Sequence, residues 1–242
     1  VEGRERRRDA HVRDPQRLDA VLGAIYAGFA EGWTDPGGTD AIRRDLIDEA
    51  IFLARLVVEL LPQEAEGLGL LALMLHAEAR RPARRNAAGE YVPLAEQDPT
   101  LWNSQMIEEA ESLLYQASKL ETIGRYQLEA ALQSAHAYRR RTGHNNWAEV
   151  VQLYDALFAI TGSPVVAINR ALAIAELHGP EAATEAIKHI ATDERLNEYQ
   201  PYWAARAELL SKTGAHEEAR QAYEMAIGLE REFTSGGSSG QR

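Results

Sequence analysis

The chain has 242 residues, 37 acidic against 26 basic side chains, a formal net charge of −11 and no cysteine. Disulfide frameworks, cysteine-ligated zinc or iron–sulfur sites and thiol nucleophiles are thereby excluded, and so acidic a chain is not expected to hold nucleic-acid phosphates. The length suits one or two domains with a sizeable core.

Forty Ala and 27 Leu stand against only 22 Val and Ile together. Ala and Leu lead the helix scale, β-branched residues favour strands, and no stretch alternates apolar and polar residues. The chain reads as all-α. No apolar run is long enough to cross a bilayer, which takes about 18 residues, and the polar N-terminus has no signal-peptide core. These features point to the cytoplasm. The first residue is Val rather than Met, so the chain is expected to be part of a longer protein.

Residues 1–15 are Arg-rich and read as a basic linker, a solvated tether more than a binding arm. Leu18, Val21, Leu22, Ile25, Tyr26 and Phe29 then keep helical spacing and predict a helix up to a turn at 35–38. A long helix is expected over 40–61, with Ile42, Leu46, Ala50, Leu53, Val57 and Leu60 inward, stopped by Pro62. The next, over 63–80, is apolar nearly all round and should lie centrally. Residues 82–103 break the pattern with four prolines and glycines, giving a loop longer than compact domains usually carry. Helices resume over 104–120 and 125–139, and the N-terminal helical part is taken as 16–122.

From 123 to 233 the chain is read as repeats. Trp203, Ala207, Leu210, Gly214, Ala219, Tyr223 and Ala226 follow the 34-residue tetratricopeptide spacing, in which small residues let paired helices approach and large ones fill the gaps. Weaker units centre on Gly179, where Ser163 and Pro164 open a helix as N-cap and N1, and on Asn145. The predicted architecture is a tetratricopeptide-like α–α superhelix of about ten helices, with Trp203, Ala207, Gly214, Ala219, Tyr223 and Ala226 as packing positions. Residues 234–242 read as a flexible tail.

Few residue patterns in the chain carry chemistry. Gly67, Gly69 and Ala72 match the loose dinucleotide fingerprint, but a helix start precedes them where a strand is required, so close helix packing is the better reading. His76 and Glu78 resemble the opening of a zinc-deaminase signature whose cysteine half is missing. No metal site, catalytic residue or cofactor is predicted. The densest positive patch, Arg80 to Arg85, is read as pairing with Glu90, Glu96 and Asp98 rather than with phosphates. The loop is expected to fold back over the helices with Trp102 buried, and Glu96 or Asp98 is expected to pair with Arg80, Arg81, Arg84 or Arg85. Arg80, Arg81, Arg84, Glu96, Gln97, Asp98 and Trp102 are the candidate regulatory and partner contacts. Trp33, Trp102, Trp147, Tyr126, Tyr154 and Trp203 are read as packing aromatics more than as a peptide-binding surface.

Several stretches together resemble one bacterial family: Leu70 to Arg84, Leu94 to Asp98 with Trp102, Tyr126 to Ala131, Ala135 and His136, Trp147 with Leu153 to Asp155, and Ser163 to Ala171. The chain resembles, over residues 16–229, the C-terminal tetratricopeptide-like extension of extracytoplasmic-function (ECF) RNA polymerase sigma factors. That resemblance implies a non-catalytic regulatory domain for protein contacts with its own sigma domains, RNA polymerase or a regulator, and DNA binding only through domains upstream of Val1. A freestanding tetratricopeptide adaptor and an all-α enzyme with an unrecognised site are the competing readings.

Overall fold

The structure, a computed structural model, describes residues 15–33 and 41–236, with side chains for 16–33 and 44–230. Among the described residues there are ten α-helices and no strand, only one isolated bridge between Arg85 and Tyr91. None of these helices is long and apolar enough to cross a membrane. The expected linker lies outside the described residues except for Pro15, which opens the first helix. Two compact units divide the chain, residues 1–144 and 145–242. The repeats were expected to begin at 123, but the helix over 125–142 packs in the first unit.

In the first unit, α1 (Pro15–Trp33) buries Leu22, Ile25 and Phe29, one face at spacings of three and four. Helix α2 (Ala41–Leu60) buries Ile47, Ala50, Ile51 and Ala54. Of the expected inward set, Ala50 is buried and Val57 packs against this core, but the leucines are corrected. Leu46, Leu53 and Leu60 are exposed, together with Phe52 and Leu56, and the Ile42 side chain lies outside the described set. Helix α2 is apolar on two faces, and the face carrying two alanines packs inward because it permits closer approach.

Helix α3 (Ala65–Ala79) is the centre of this unit. Leu68, Leu70, Leu71, Ala72, Met74 and Leu75 are all nearly inaccessible. It packs against α4 (Ser104–Ser118) and α5 (Arg125–Thr142). The crossing with α5 is close enough to require glycine. A Cβ on Gly69 would stand 2.5 Å from the backbone N of Gln127, which is the packing role read for this glycine from the sequence. Helix α5 starts at Gly124 without a capping side chain of its own. The Glu66 carboxylate of α3 caps it instead, accepting from the amides of Tyr126 (2.9 Å) and Gln127 (3.0 Å). Burial pushes the Glu66 carboxyl pKa up, and the two amides hold it back. A Cβ on Gly124 would meet that carboxylate, which would have to swing off the two amides to make room.

The second unit holds α6 (Trp147–Thr161), α7 (Pro164–His178), α8 (Pro180–Lys188), α9 (Gln200–Lys212) and α10 (His216–Gly236). Pro164 takes the first position of α7 as expected, while the Ser163 hydroxyl makes no capping bond. Gly179 (φ +92°) and Gly214 (φ +80°) turn the chain between α7 and α8 and between α9 and α10. Ile168, Ala171, Ile174, Ala183, Ile187, Leu196, Tyr202 and Leu209 form one core. Ala207, Leu210, Ala219 and Ala222 form a second, between α9 and α10, with Trp203 against both. Ala226 is buried too, but Tyr223 is corrected: it is exposed, turned away from the helix pair it was expected to fill. Residues 234–236 end α10 rather than starting a tail.

Candidate functional site

The segment after α3 is long because it carries its own hydrogen-bonded structure. Arg81–Ala83 forms a short 3₁₀ turn. The Asn86 side chain then organises a tight loop, its Oδ1 accepting from the amides of Ala88 and Glu90 (both 3.0 Å). The Val92 amide returns to the Arg84 carbonyl (2.8 Å). Farther on, Asp98 caps a second 3₁₀ turn (Pro99–Leu101), accepting from the Thr100 amide and hydroxyl. Trp102 is buried among Ala79, Ala83, Ile107 and Ala137, and Asn103 caps α4 through the Met106 amide. The segment does fold back over the helices. The Arg140 Nε–H donates to the Gln97 carbonyl (2.9 Å), tying it to α5.

The predicted ion pairs are corrected. Glu96 and Asp98 are exposed, and neither reaches an arginine among 80, 81, 84 and 85. Asp98 sits two residues from the amide it caps, and this local bond holds its carboxyl pKa below the usual range. Each arginine has a different neighbour. Arg81 pairs with Glu78 (2.7 Å), Arg85 donates to the Gly89 carbonyl (2.6 Å), and Glu90 accepts from Asn86. Arg80 and Arg84 turn inward.

They meet in a cavity of about 400 Å³ inside the first unit. Helix α1 supplies Tyr26, Phe29 and Trp33, α3 supplies Leu73 and Ala77, the loop supplies Tyr91, Leu94 and Gln97, and α5 supplies Gln133. Among the described residues that line it there is no carboxylate. Arg84 stacks on Trp33, its guanidinium carbon 3.8 Å from the ring centroid, with Tyr91 at 5.7 Å. One Nη of Arg80 donates to Gln133, while the other is buried without a partner. Burial and the neighbouring Arg84 push the Arg80 pKa down to about 10. His136, half-buried, is held down to about 4 by its partial loss of solvent and by the nearby Arg139 and Arg80. Gln97 is only 3% exposed. Its Nε2–H donates to the Val92 carbonyl (3.0 Å), which fixes the amide orientation and leaves Oε1 buried without a donor. Trp33 Nε1 is buried without an acceptor.

A second polar cluster lies between α3, α4 and α5. His76 is buried with Nε2 3.3 Å from Glu111 Oε1, and the Ser134 hydroxyl donates to the same carboxylate oxygen at 2.6 Å. Histidine and serine together hold the Glu111 pKa down. The carboxylate, not the imidazole, touches the hydroxyl, so the arrangement lacks the base-on-nucleophile contact of a catalytic triad. Among the described residues no three His, Asp or Glu side chains are grouped as metal ligands.

Of the residues singled out in the sequence, the structure brings Arg80, Arg84 and Gln97 to one cavity and leaves Arg81, Glu96, Asp98 and Trp102 outside its lining. Sequence reasoning missed Tyr26, Phe29, Leu73, Tyr91 and Gln133 as cavity walls. Helical periodicity marks the first three as buried but does not say that they face empty space.

Comparison with known proteins adds two likenesses. A family of unknown function, DUF6596, matches residues 17–118, a stretch running from α1 to the end of α4. An uncharacterized protein of Rhizobium meliloti (strain 1021) is 41% identical over 214 residues, covering 88% of this chain and 50% of that protein. The chain thus spans about half the length of the curated relative it matches.

Proposed function

We propose that the chain is a non-catalytic, protein-interacting regulatory part of a bacterial ECF sigma factor, acting in the cytoplasm on transcription initiation. The observation that carries the interaction role is the outer face of α2. Phe52 and Leu60 are 58% and 68% exposed, and Leu46, Leu53 and Leu56 are exposed beside them. Five large apolar side chains on one helix exceed the scattered exposure normal for a surface, and such patches mark contact sites. The partners in this reading are the sigma factor's own promoter- and polymerase-binding domains, core RNA polymerase or a regulator. DNA would be held by the sigma domains and not by this acidic part.

The sigma assignment rests on the ordered sequence motifs. The relative of twice the matched length is compatible with it, since as many of its residues lie outside the match as inside. In the same reading the second unit is a tetratricopeptide-like stack. Its support is the pairing of α9 with α10 through buried Ala207, Ala219 and Ala226 around the Gly214 turn.

The test has two parts. The coding sequence upstream of Val1 should specify two small helical domains in the same frame. The purified chain should then bind those domains or core polymerase in a titration, and Phe52→Glu with Leu53→Glu should weaken the complex about tenfold or more, as expected for centrally placed anchors. An upstream region without such domains, or a complex indifferent to both substitutions, overturns the reading.

A further inference from the structure

We propose that the cavity between α1, α3, α5 and the 82–103 loop is a binding site for a small organic acid, a carboxylate on a largely apolar body that also carries one hydrogen-bond donor. The site goes beyond the sigma-factor reading and stands or falls separately from it, because it is derived from the cavity alone.

The chemistry follows from what the cavity leaves unmatched. Two guanidinium groups face it, and among its described lining residues no carboxylate balances them. A buried, unpaired cation is unfavourable, and protein interiors keep one only when a partner or a ligand completes it. The unpartnered Nη of Arg80 is buried, and Arg84 is held in place by the Trp33 ring. A carboxylate between them would accept charge-assisted hydrogen bonds in a planar geometry that guanidinium matches. Trp33 Nε1 is a further buried donor without an acceptor.

The opposite need is met by Gln97. Its Oε1 is buried, oriented by the Val92 bond and without a donor. A hydroxyl or amine on the ligand satisfies it, whereas an inorganic anion would leave the apolar part of the wall uncovered. The remaining wall is apolar, with Phe29, Tyr26, Leu73 and Leu94. A volume of about 400 Å³ falls at the small end of the ~300–1,000 Å³ typical of small-molecule sites. Size, apolar wall, two cations and one acceptor together select an organic acid over phosphate, a nucleotide or a neutral hydrocarbon. Because the walls come from both the loop and α1, an occupant would join the two.

The experiment is calorimetric titration of the full chain with a panel of benzoate, 4-hydroxybenzoate and 4-hydroxyphenylacetate. Benzyl alcohol, inorganic phosphate and phenyl phosphate serve as comparisons. At least one of the acids should bind, and the hydroxylated acids should bind more tightly than benzoate. Benzyl alcohol should be weaker by about tenfold or more, the equivalent of one charge-assisted bond. Arg84→Met should weaken the acids by a similar factor. Ala77→Phe, which fills the cavity without touching either arginine's charge, should abolish binding while circular dichroism stays helical. Arg80→Met is a further arm, and if it does not fold, the two other variants still decide. The proposal is overturned if no acid in the panel binds at concentrations up to about 10 mM, if inorganic phosphate binds as tightly as the acids, if phenyl phosphate exceeds every carboxylate, or if Ala77→Phe leaves the affinity unchanged.

Discussion

Replacing Gly69 by Ala should destabilise the first unit, although Ala is the better helix former. A Cβ at this position would lie 2.5 Å from Gln127 N and 2.9 Å from both Gln127 Cα and the Tyr126 carbonyl carbon. All three are backbone atoms, so no side-chain rotation relieves the contact and the start of α5 must retreat by about 1 Å to restore ordinary packing. Overpacking of this kind costs about 1–3 kcal/mol. The retreat also loosens the Tyr126 and Gln127 amides from Glu66, bonds to a charged acceptor whose full loss would cost ~1.5–3 kcal/mol each. Against this stands a helix-propensity gain of about 1 kcal/mol. The net is a loss of roughly 2–3 kcal/mol, or ~5–10 °C in the melting temperature of a unit this size. Scanning calorimetry measures it, and hydrogen exchange should show faster exchange at the Tyr126 and Gln127 amides. Gly28→Ala is the control, since a Cβ there meets nothing within 4 Å, and it should raise stability by up to about 1 kcal/mol. If both substitutions move the melting temperature the same way, the close-crossing argument is wrong.

Ala219→Leu should overpack the contact between α9 and α10, at about 1–3 kcal/mol, whereas Glu217→Ala, on an exposed side chain paired only with its neighbours on α10, should leave the melting temperature where it is. Lowering the pH should destabilise the first unit through His136. Its folded pKa of about 4 lies below the ordinary 6.5, so the unfolded chain binds the extra proton first, and stability present above pH 6.5 is lost as the pH falls towards 4. The loss is at most about 3 kcal/mol, and urea midpoints at pH 7 and 4.5 should differ less in His136→Gln than in the parent; equal differences would refute it. Duplex DNA should not bind this chain more tightly than about 10⁻⁴ M at physiological salt, and a gel shift at micromolar protein would show that the acidic surface has been misjudged.

The helices were legible because Ala and Leu recur at spacings that only a helix turns into a face. The close role of Gly69 was legible because a helix start, not a strand, precedes it. Helix α2 was misread for a physical reason: with apolar residues on two faces, periodicity cannot say which one docks, and the alanine-bearing face wins by allowing closer contact. The loop divides in the same way. Trp102 belonged inside by size alone. Glu96 or Asp98 was expected to reach a distant arginine, although the two residues after Asp98, Pro99 and Thr100, spell a local cap, and a bond formed within two residues requires far less ordering of the chain than one across the fold. The cavity was not legible at all. Its walls come from residues 26–33, 73–84, 91–97 and 133, and no local pattern records that four distant segments leave a space where they meet.

The reach of Glu66 across 60 residues to Tyr126 has a consequence in time. Helix α3 is buried on nearly every side, and one of those sides is covered by a helix whose first turn is fastened from α3 itself. On the ribosome, at ~5–20 residues per second, the segment that completes this enclosure follows about 3–12 s behind α3. For that interval one of the most oily stretches of the chain waits beside water with its lid unsynthesised. Slowing translation after α3 has left the ribosome but before α5 has should therefore lower the soluble yield, while the same pause placed once both helices have emerged should not.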